Sequence, residues 1–340
     1  PWRENTDPYR VWVSEIMLQQ TRVEAAREHY VRFLRELPDV HALAACSEEK
    51  LFKLWEGLGY YSRARNLQKA AKIIAEKGFP RDVAGWRSLP GIGAYTAGAV
   101  CSIAFGQPIP AVDGNVVRVL SRLLGDARPQ QALRGEFEKE LAPAYPKERC
   151  GDFTQSLMEL GATVCLPSSP LCLTCPLLSL CETKSDALPT REKKAERRKT
   201  AVTLLLFTDG AHVALCKRSA GVLKGMYAFF SAETALPEEE VRRFLSAAGM
   251  KDFSVGNGAE HKHVFTHIEW DMTAYPVYLP AQSRDESGPF DPDRKLRMPE
   301  ELLPDGCAHS GFGALQWFSK DYAERNISLP SAFRWALGLV

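Results

Sequence analysis

Four cysteines fall within seventeen residues: Cys165, Cys172, Cys175 and Cys181, in the pattern C-x6-C-x2-C-x5-C. No other feature constrains the chain so tightly. Thiolates this close in sequence can wrap a single metal centre and pin the surrounding loop. Five further cysteines, at positions 46, 101, 150, 216 and 307, bring the total to nine. An odd number without a secretory segment argues against a disulfide framework. Spacing does not separate zinc from a cubane iron–sulfur cluster, because both take four cysteines.

The text on either side of this loop differs. Before it, apolar residues recur at helical spacing in TDPYRVWVSEIMLQQ, EKLFKLWEGL, SRARNLQKAAKIIAEKG, AYTAGAVCSIAFG, GNVVRVLSRLLG and GDFTQSLMELGATVC. Asp7 and Pro8 supply a helix cap and a first-turn proline. After it, residues 183–200 are polar and charge-rich, which suits a linker. TAVTLLLFTDGAHVALCKR is then a hairpin signal, with Asp-Gly between two apolar runs. EEEVRRFLSAAGM reads as one amphipathic helix and HVFTHIEWDMTAYPVYL as a second strand pair. An all-α part is therefore expected before an α+β part, in keeping with 340 residues, too many for one core.

The charge is uneven. Residues 1–200 carry 29 Lys and Arg against 24 Asp and Glu, a balance of +5, and the remainder carry 14 against 18, or −4. A mildly basic front half is compatible with a phosphate-bearing partner. No run approaches the eighteen or so apolar residues of a membrane span, so no membrane partner is expected. Pro1 is not a natural start, and preceding residues are expected to be missing.

Three stretches carry chemistry. In SEIMLQQT, residues 14–21, Glu15 sits on a largely apolar helix, where a carboxylate is costly unless it faces water or has a task. LPGIGAYTAGAV, residues 89–100, reads as helix, Gly-x-Gly turn and helix. Gly91 and Gly93 would let backbone amides approach an anion at a helix N-terminus, although a plain helix–helix turn fits as well. In PAVDGNVVRVL, Asp113 precedes a helix, and the simplest reading is a cap.

Taken together, these residues resemble the helix-hairpin-helix DNA glycosylases of the endonuclease III superfamily, and within it the MutY adenine DNA glycosylases. The similarity rests on PWR at 1–3, SEIMLQQTRV at 14–23, WEGLGYYSRARNL at 55–67, LPGIGAYTAGAV, AVDGNVVRVLSRL at 111–123 and the cysteine loop. It covers residues 1–182 and, more loosely, the C-terminus. The resemblance implies a six-helix barrel over about 9–107. A helical module with a [4Fe–4S] cluster on the four cysteines is implied over 1–8 and 108–182. A Nudix-like α+β domain is implied over 201–340, beyond the 183–200 linker. It implies excision of adenine opposite 8-oxoguanine in double-stranded DNA, by a monomer in the bacterial cytoplasm, associated with the nucleoid.

The implied roles follow the chemistry of N-glycosidic cleavage. A carboxylic acid must protonate the departing base and a carboxylate must stabilise or trap the sugar cation. The family match assigns Glu15 as acid and later water activator, and Asp113 as the anionic partner. Asn115 is assigned to orient Asp113, and Tyr95 to hydrogen-bond near Glu15. Trp2, Arg3 and Gln155 match the adenine pocket, though plain packing suits Trp2 equally. Gln20, Thr21, Leu58 and Tyr60 match residues inserted near the opposing strand, with a core role open for Leu58.

Phe265, Thr266 and His267 match a Phe-Ser-His loop that reads the lesion, with Thr in place of Ser. In the lyase branch of the superfamily a lysine stands at the Tyr95 position, whereas this chain has no Lys between residues 78 and 138. A monofunctional enzyme is therefore expected. An endonuclease III-like lyase acting on oxidised bases is disfavoured by Tyr95. A silent iron–sulfur DNA-binding protein is disfavoured by retention of both carboxyls. A nucleotide pyrophosphatase is disfavoured by EEEVRRFLSAAGM, which keeps its glutamates only at the start.

Overall fold

The computed structural model describes residues 1–21, 23–190, 196–280 and 315–340. The chain divides into two compact units, residues 1–54 with 60–194, and residues 195–340 with Trp55–Gly59.

The first unit is helical: α1 (Pro8–Met17), α2 (Val23–Glu36), α3 (Val40–Ala45), α4 (Glu48–Trp55), α5 (Tyr61–Lys77), α6 (Val83–Arg87), α7 (Ala94–Phe105), α8 (Gly114–Leu124), α9 (Gln130–Ala144) and α10 (Cys150–Glu159). Among the described residues seven helical segments, the five-residue α6 and six-residue α3 among them, occupy the span expected to hold the six-helix barrel. Asp7 caps α1 by accepting from the Arg10 amide at 2.9 Å, and Pro8 opens it. α1 is buried almost all round, and α7 packs against both α1 and α10. Gly98 lets α7 approach the segment that leads to Asp113: a Cβ there would lie 2.3 Å from the Pro110 carbonyl oxygen. Among the described residues no helix is long and apolar enough to cross a membrane.

The linker expectation needs correction at both ends. Residues 182–190 lie against α8. The Glu182 and Thr183 amides donate to Leu123 and Arg122 carbonyls at 3.1 Å, and the Arg122 guanidinium holds the Leu188 carbonyl at 2.7 Å. Polar composition misled here, because the packing is made by backbone groups. At the other end the first strand starts at Arg198, which pairs with Ile268. Residues 191–195 of the expected linker lie outside the described residues.

The second unit is built on one mixed sheet: β1 (Arg198–Thr208), β2 (His212–Lys217), β3 (Tyr227–Ala228), β4 (Phe230–Ala232), β5 (Ser254–Val255), β6 (Ala259–Val264), β7 (Ile268–Tyr278) and β8 (Gln316–Ser319). Both expected hairpins form, β1–β2 and β6–β7. Parallel pairing of β1 with β7 joins them. Side chains alternate along β1. Val202, Leu204 and Leu206 enter a core with Trp270, Met272 and Phe333, while Leu205 and Phe207 enter another with Val241, Phe244 and Leu245. The helix α11 (Glu238–Ala247) therefore covers one face, and α13 (Ser331–Leu337), which follows α12 (Lys320–Asn326), covers the other.

Candidate active site

Glu15 is 2% exposed on α1, and the Tyr95 hydroxyl on α7 donates to its Oε2 at 2.5 Å. Burial pushes the Glu15 carboxyl above the usual carboxylate range. The Tyr95 bond and the Arg3 cation oppose that rise, and the Asp113 charge adds to it. Burial and the same two carboxyls hold the Tyr95 phenol well above its ordinary value. The hydroxyl also lies 3.8 Å from Met158 Sδ on α10.

Asp113 is both a cap and something more. Its Oδ1 accepts from the Val116 amide at 2.7 Å, satisfying the start of α8, and its Oδ2 accepts from Asn115 Nδ2 at 2.9 Å. Asn115 in turn accepts from Arg118 Nη2 at 2.8 Å. The same guanidinium donates to the carbonyls of Gly161, at 2.6 Å, and Cys165, at 2.8 Å. A continuous chain of polar contacts thus runs from Asp113 to the first residue of the cysteine loop.

The next turn of α8 reaches the same loop. Arg122 is buried and donates to the Leu166 and Pro167 carbonyls, and to Cys165 Sγ at 3.3 Å. A cavity of about 40 Å³, floored by Val119 and Leu160, is lined by Cys165, Cys172, Cys175 and Cys181. Among the described residues no three His, Cys, Asp or Glu side chains converge closely enough to hold a single ion.

Arg3 pairs with Glu159 at 3.0 Å, which brings it to the same end of α10 as Met158. Gln155, one turn earlier on α10, is half-buried. Trp2 is buried edge-on to Tyr30 with centroids 5.6 Å apart. The hairpin glycines differ. Gly91 has a φ of +77°, and a Cβ there would meet Asn66 at 2.7 Å. A Cβ on Gly93 would meet nothing within 4 Å. Gly93 caps α7 with no side-chain bond, so protein packing does not account for it.

Gln20 and Tyr60 are exposed, Tyr60 at 48%, and both hold left-handed backbone, with φ of 57° and 47°. Leu58 is buried at 5% exposure, and Thr21 is half-buried. In the second unit, Phe265 closes a turn through its amide to the Ile268 carbonyl at 2.8 Å. Its ring packs between His263 and Trp270. Thr266 and His267 are exposed at the tip.

Sequence reasoning missed Arg118, Met158, Gly161 and Arg63. Only Gly161 carried a local signal, a glycine inside a helical pattern.

Residues 13–143 match the HhH-GPD superfamily of base excision DNA repair proteins. The chain is 32% identical over 277 residues to an adenine DNA glycosylase of Buchnera aphidicola subsp. Baizongia pistaciae, covering 79% of this chain and 78% of the relative. It is 34% identical over 358 residues to the adenine DNA glycosylase of Homo sapiens, covering 83% and 65%. For that of Arabidopsis thaliana the identity is 34% over 332 residues, covering 79% and 53%. The chain thus spans about half to two thirds of the length of the plant and human relatives. Among solved structures, a thermostable thymine-DNA glycosylase is similar, with a TM-score of 0.50 and 29% identity over 54% of this chain and 87% of that one.

Proposed function

We propose that this chain, which belongs to the adenine DNA glycosylase family, hydrolyses the N-glycosidic bond of adenine paired with 8-oxoguanine in duplex DNA, without cleaving the strand. The observation that carries this reading is the buried Glu15–Tyr95 pair with Asp113 in electrostatic reach. Two carboxyls in unlike surroundings divide the labour of glycoside hydrolysis. Desolvation favours the protonated form of Glu15, which gives its proton to a ring nitrogen of the leaving adenine. Asp113 supplies the negative charge that stabilises the oxocarbenium sugar. Glu15, now ionised, takes a proton from the water whose oxygen bonds to the anomeric carbon. Tyr95 leaves one carboxyl oxygen of Glu15 for this traffic by occupying the other. Its phenol offers no amine for a Schiff base, which supports a monofunctional reaction.

The target base must leave the stack to reach a carboxyl this deeply buried. Arg3 acts on the Glu15 charge, and with Gln155, half-buried one turn before Met158 on α10, it suits a base read on its edge. The open amides of α7 behind Gly93 suit a DNA phosphate.

The four cysteines line one cavity, which fits a [4Fe–4S] cluster held by four thiolates. When bound, the cluster ties four positions of the loop into one rigid centre. Arg118 and Arg122 hold that loop against α8.

The second unit we read as a Nudix-like lesion-recognition domain. Its α11 carries acids only in the first turn, Glu238, Glu239 and Glu240, and Glu238 pairs with Arg242 at 2.7 Å, which supports a binding role over magnesium-dependent hydrolysis. The exposed Thr266 and His267 suit contact with 8-oxoguanine.

The test is single-turnover release of adenine from a duplex with A opposite 8-oxoguanine, scored with and without alkali. Base release with strands intact until alkali is expected. No release by protein with intact cluster absorbance overturns the reading, and efficient borohydride trapping overturns its monofunctional part.

A further inference from the structure

One side chain gathers the two segments that carry the exposed, left-handed residues. Arg63, in the first turn of α5, donates from Nη1 to the carbonyls of Ile16 at 2.8 Å, Met17 at 3.3 Å, and Gln19. Its Nη2 reaches Thr21 Oγ1 at 3.4 Å, and the guanidinium lies over the Tyr60 ring, 5.5 Å from the centroid. Ile16 and Met17 are among the last residues of α1, where carbonyls have no helical partner, so a cation there is doubly placed. The site is more than a surface contact, for burial lowers the guanidinium to about 10. Arg63 thus caps the helix that carries Glu15 and fixes the loop behind it, and the Tyr60 ring packs on the same group.

The backbone gives an independent sign. Gln20 and Tyr60 are non-glycine residues in left-handed conformations, which cost free energy unless the surroundings impose them. Gln20 lies between two Arg63 partners, Gln19 and Thr21, and Tyr60 is itself one. A second tether leads inward: Gln19 Nε2 donates to Thr96 Oγ1 at 3.1 Å, and Thr96 adjoins Tyr95. An arginine does this where a lysine would not, since its fork holds several acceptors in fixed geometry.

We infer that Arg63 is the positioning residue that locks the Gln19–Thr21 loop and the Tyr60 ring into one rigid two-pronged probe, which opens the base stack before excision. The inference deepens the proposed function and rests on it for the DNA substrate. Tyr60 enters the stack on one side and Gln20 stands in the gap on the other, with their separation set by the guanidinium. Without Arg63 each prong moves alone, and unstacking no longer coincides with delivery of adenine to Glu15.

The test uses the full-length protein with its cluster, a duplex with A opposite 8-oxoguanine, and 2-aminopurine beside the lesion as a reporter of unstacking. Wild type, Arg63→Ala, Arg63→Lys, Tyr60→Ala and the Arg63→Ala/Tyr60→Ala double variant are compared. Arg63→Ala is expected to lose most of the fluorescence rise and at least tenfold in single-turnover excision, with Arg63→Lys between it and wild type. The double variant should fall little further than the worse single one, because residues acting as a unit are not additive. A full fluorescence rise in Arg63→Ala, or losses that multiply in the double variant, would overturn the inference.

Should Arg63→Ala fail to fold, Arg63→Lys decides in the same way: wild-type fluorescence and rate sink the idea. A wild type that unstacks the duplex but releases no adenine defeats the proposed function alone, and the fluorescence comparison still judges Arg63. A wild type that does neither defeats both.

Discussion

The Tyr95 hydroxyl donates to the Glu15 carboxyl at 2.5 Å, although the residues stand 80 positions apart. The bond works against desolvation. Burial raises the Glu15 pKa and the phenol lowers it. Tyr95→Phe removes only the lowering influence, so Glu15 should hold its proton to higher pH. The alkaline limb of the excision rate, where the acid form is lost, is expected to move upward. The rate at its optimum should fall about tenfold, less than the loss of a proton-transfer group costs, because Tyr95 positions the acid and does not transfer its proton. A pH–rate profile under single-turnover conditions checks both, and a limb shifted to lower pH would contradict the assignment.

Glu15→Gln keeps the acceptor for Tyr95 but removes the proton. Excision should drop by about 10²–10⁴ or more, with duplex binding retained. Stability should move the other way. A carboxyl whose folded pKa is raised favours folding below its unfolded value and loses that contribution as pH rises toward its folded value. At pH 8 the variant should therefore melt above wild type, and the gap should close as pH falls to about 4.5. Thermal melts at the two pH values measure this. A variant less stable at pH 8 would mean that Glu15 is not the desolvated carboxyl of the site.

The Phe265–His267 turn should separate packing from recognition. Phe265 lies between His263 and Trp270, so Phe265→Ala should cost about 1–3 kcal/mol of stability as buried area is lost. His267 is exposed, and His267→Ala should leave the melting temperature within about 2 °C, the usual range for surface changes. It should lower affinity for A opposite 8-oxoguanine relative to A opposite G. Equal loss of affinity for both duplexes would assign His267 to general DNA contact.

What the sequence discloses about this fold is mainly what is local. Asp7 and Pro8 announce the start of α1, Asp-Gly announces the β1–β2 hairpin, and the cysteine spacing announces a loop whose four thiols share one cavity. Glu15 is visible because its chemistry clashes with its neighbours. The parallel joint between β1 and β7 is not visible, because no turn signal spans it. Arg118 is hidden for a related reason: an arginine on α8 reads as solvent-facing until residues 160–164 fold back and present the Gly161 carbonyl. Arg63 is hidden twice, being one of many basic residues on α5 and meeting carbonyls that every residue has. Polar text between 182 and 190 concealed backbone packing on α8.

Glycines at two helical sites should behave oppositely. A Cβ on Gly161 would lie 2.6 Å from Asn115 Cβ and 3.1 Å from Asn115 backbone atoms, which cannot yield as a flexible side chain would. Gly161→Ala should force the start of α8 away from residues 160–164. Asn115 then loses its 2.9 Å bond to Asp113, and Arg118 loses the Gly161 carbonyl. Excision should fall about 10- to 100-fold, a loss of roughly 1.4–2.7 kcal/mol in transition-state stabilisation, and the cluster should be lost more readily to chelator. Gly135 lies inside α9 with nothing within 4 Å of where a methyl would stand and no left-handed backbone. Gly135→Ala should be neutral to stabilising by about 0.5–1 kcal/mol from helix propensity alone, with excision unchanged. Side-by-side melts, excision rates and cluster absorbance decide the matter. If Gly161→Ala matches Gly135→Ala in all three, the close approach of residues 160–164 to Asn115 is not what orients Asp113.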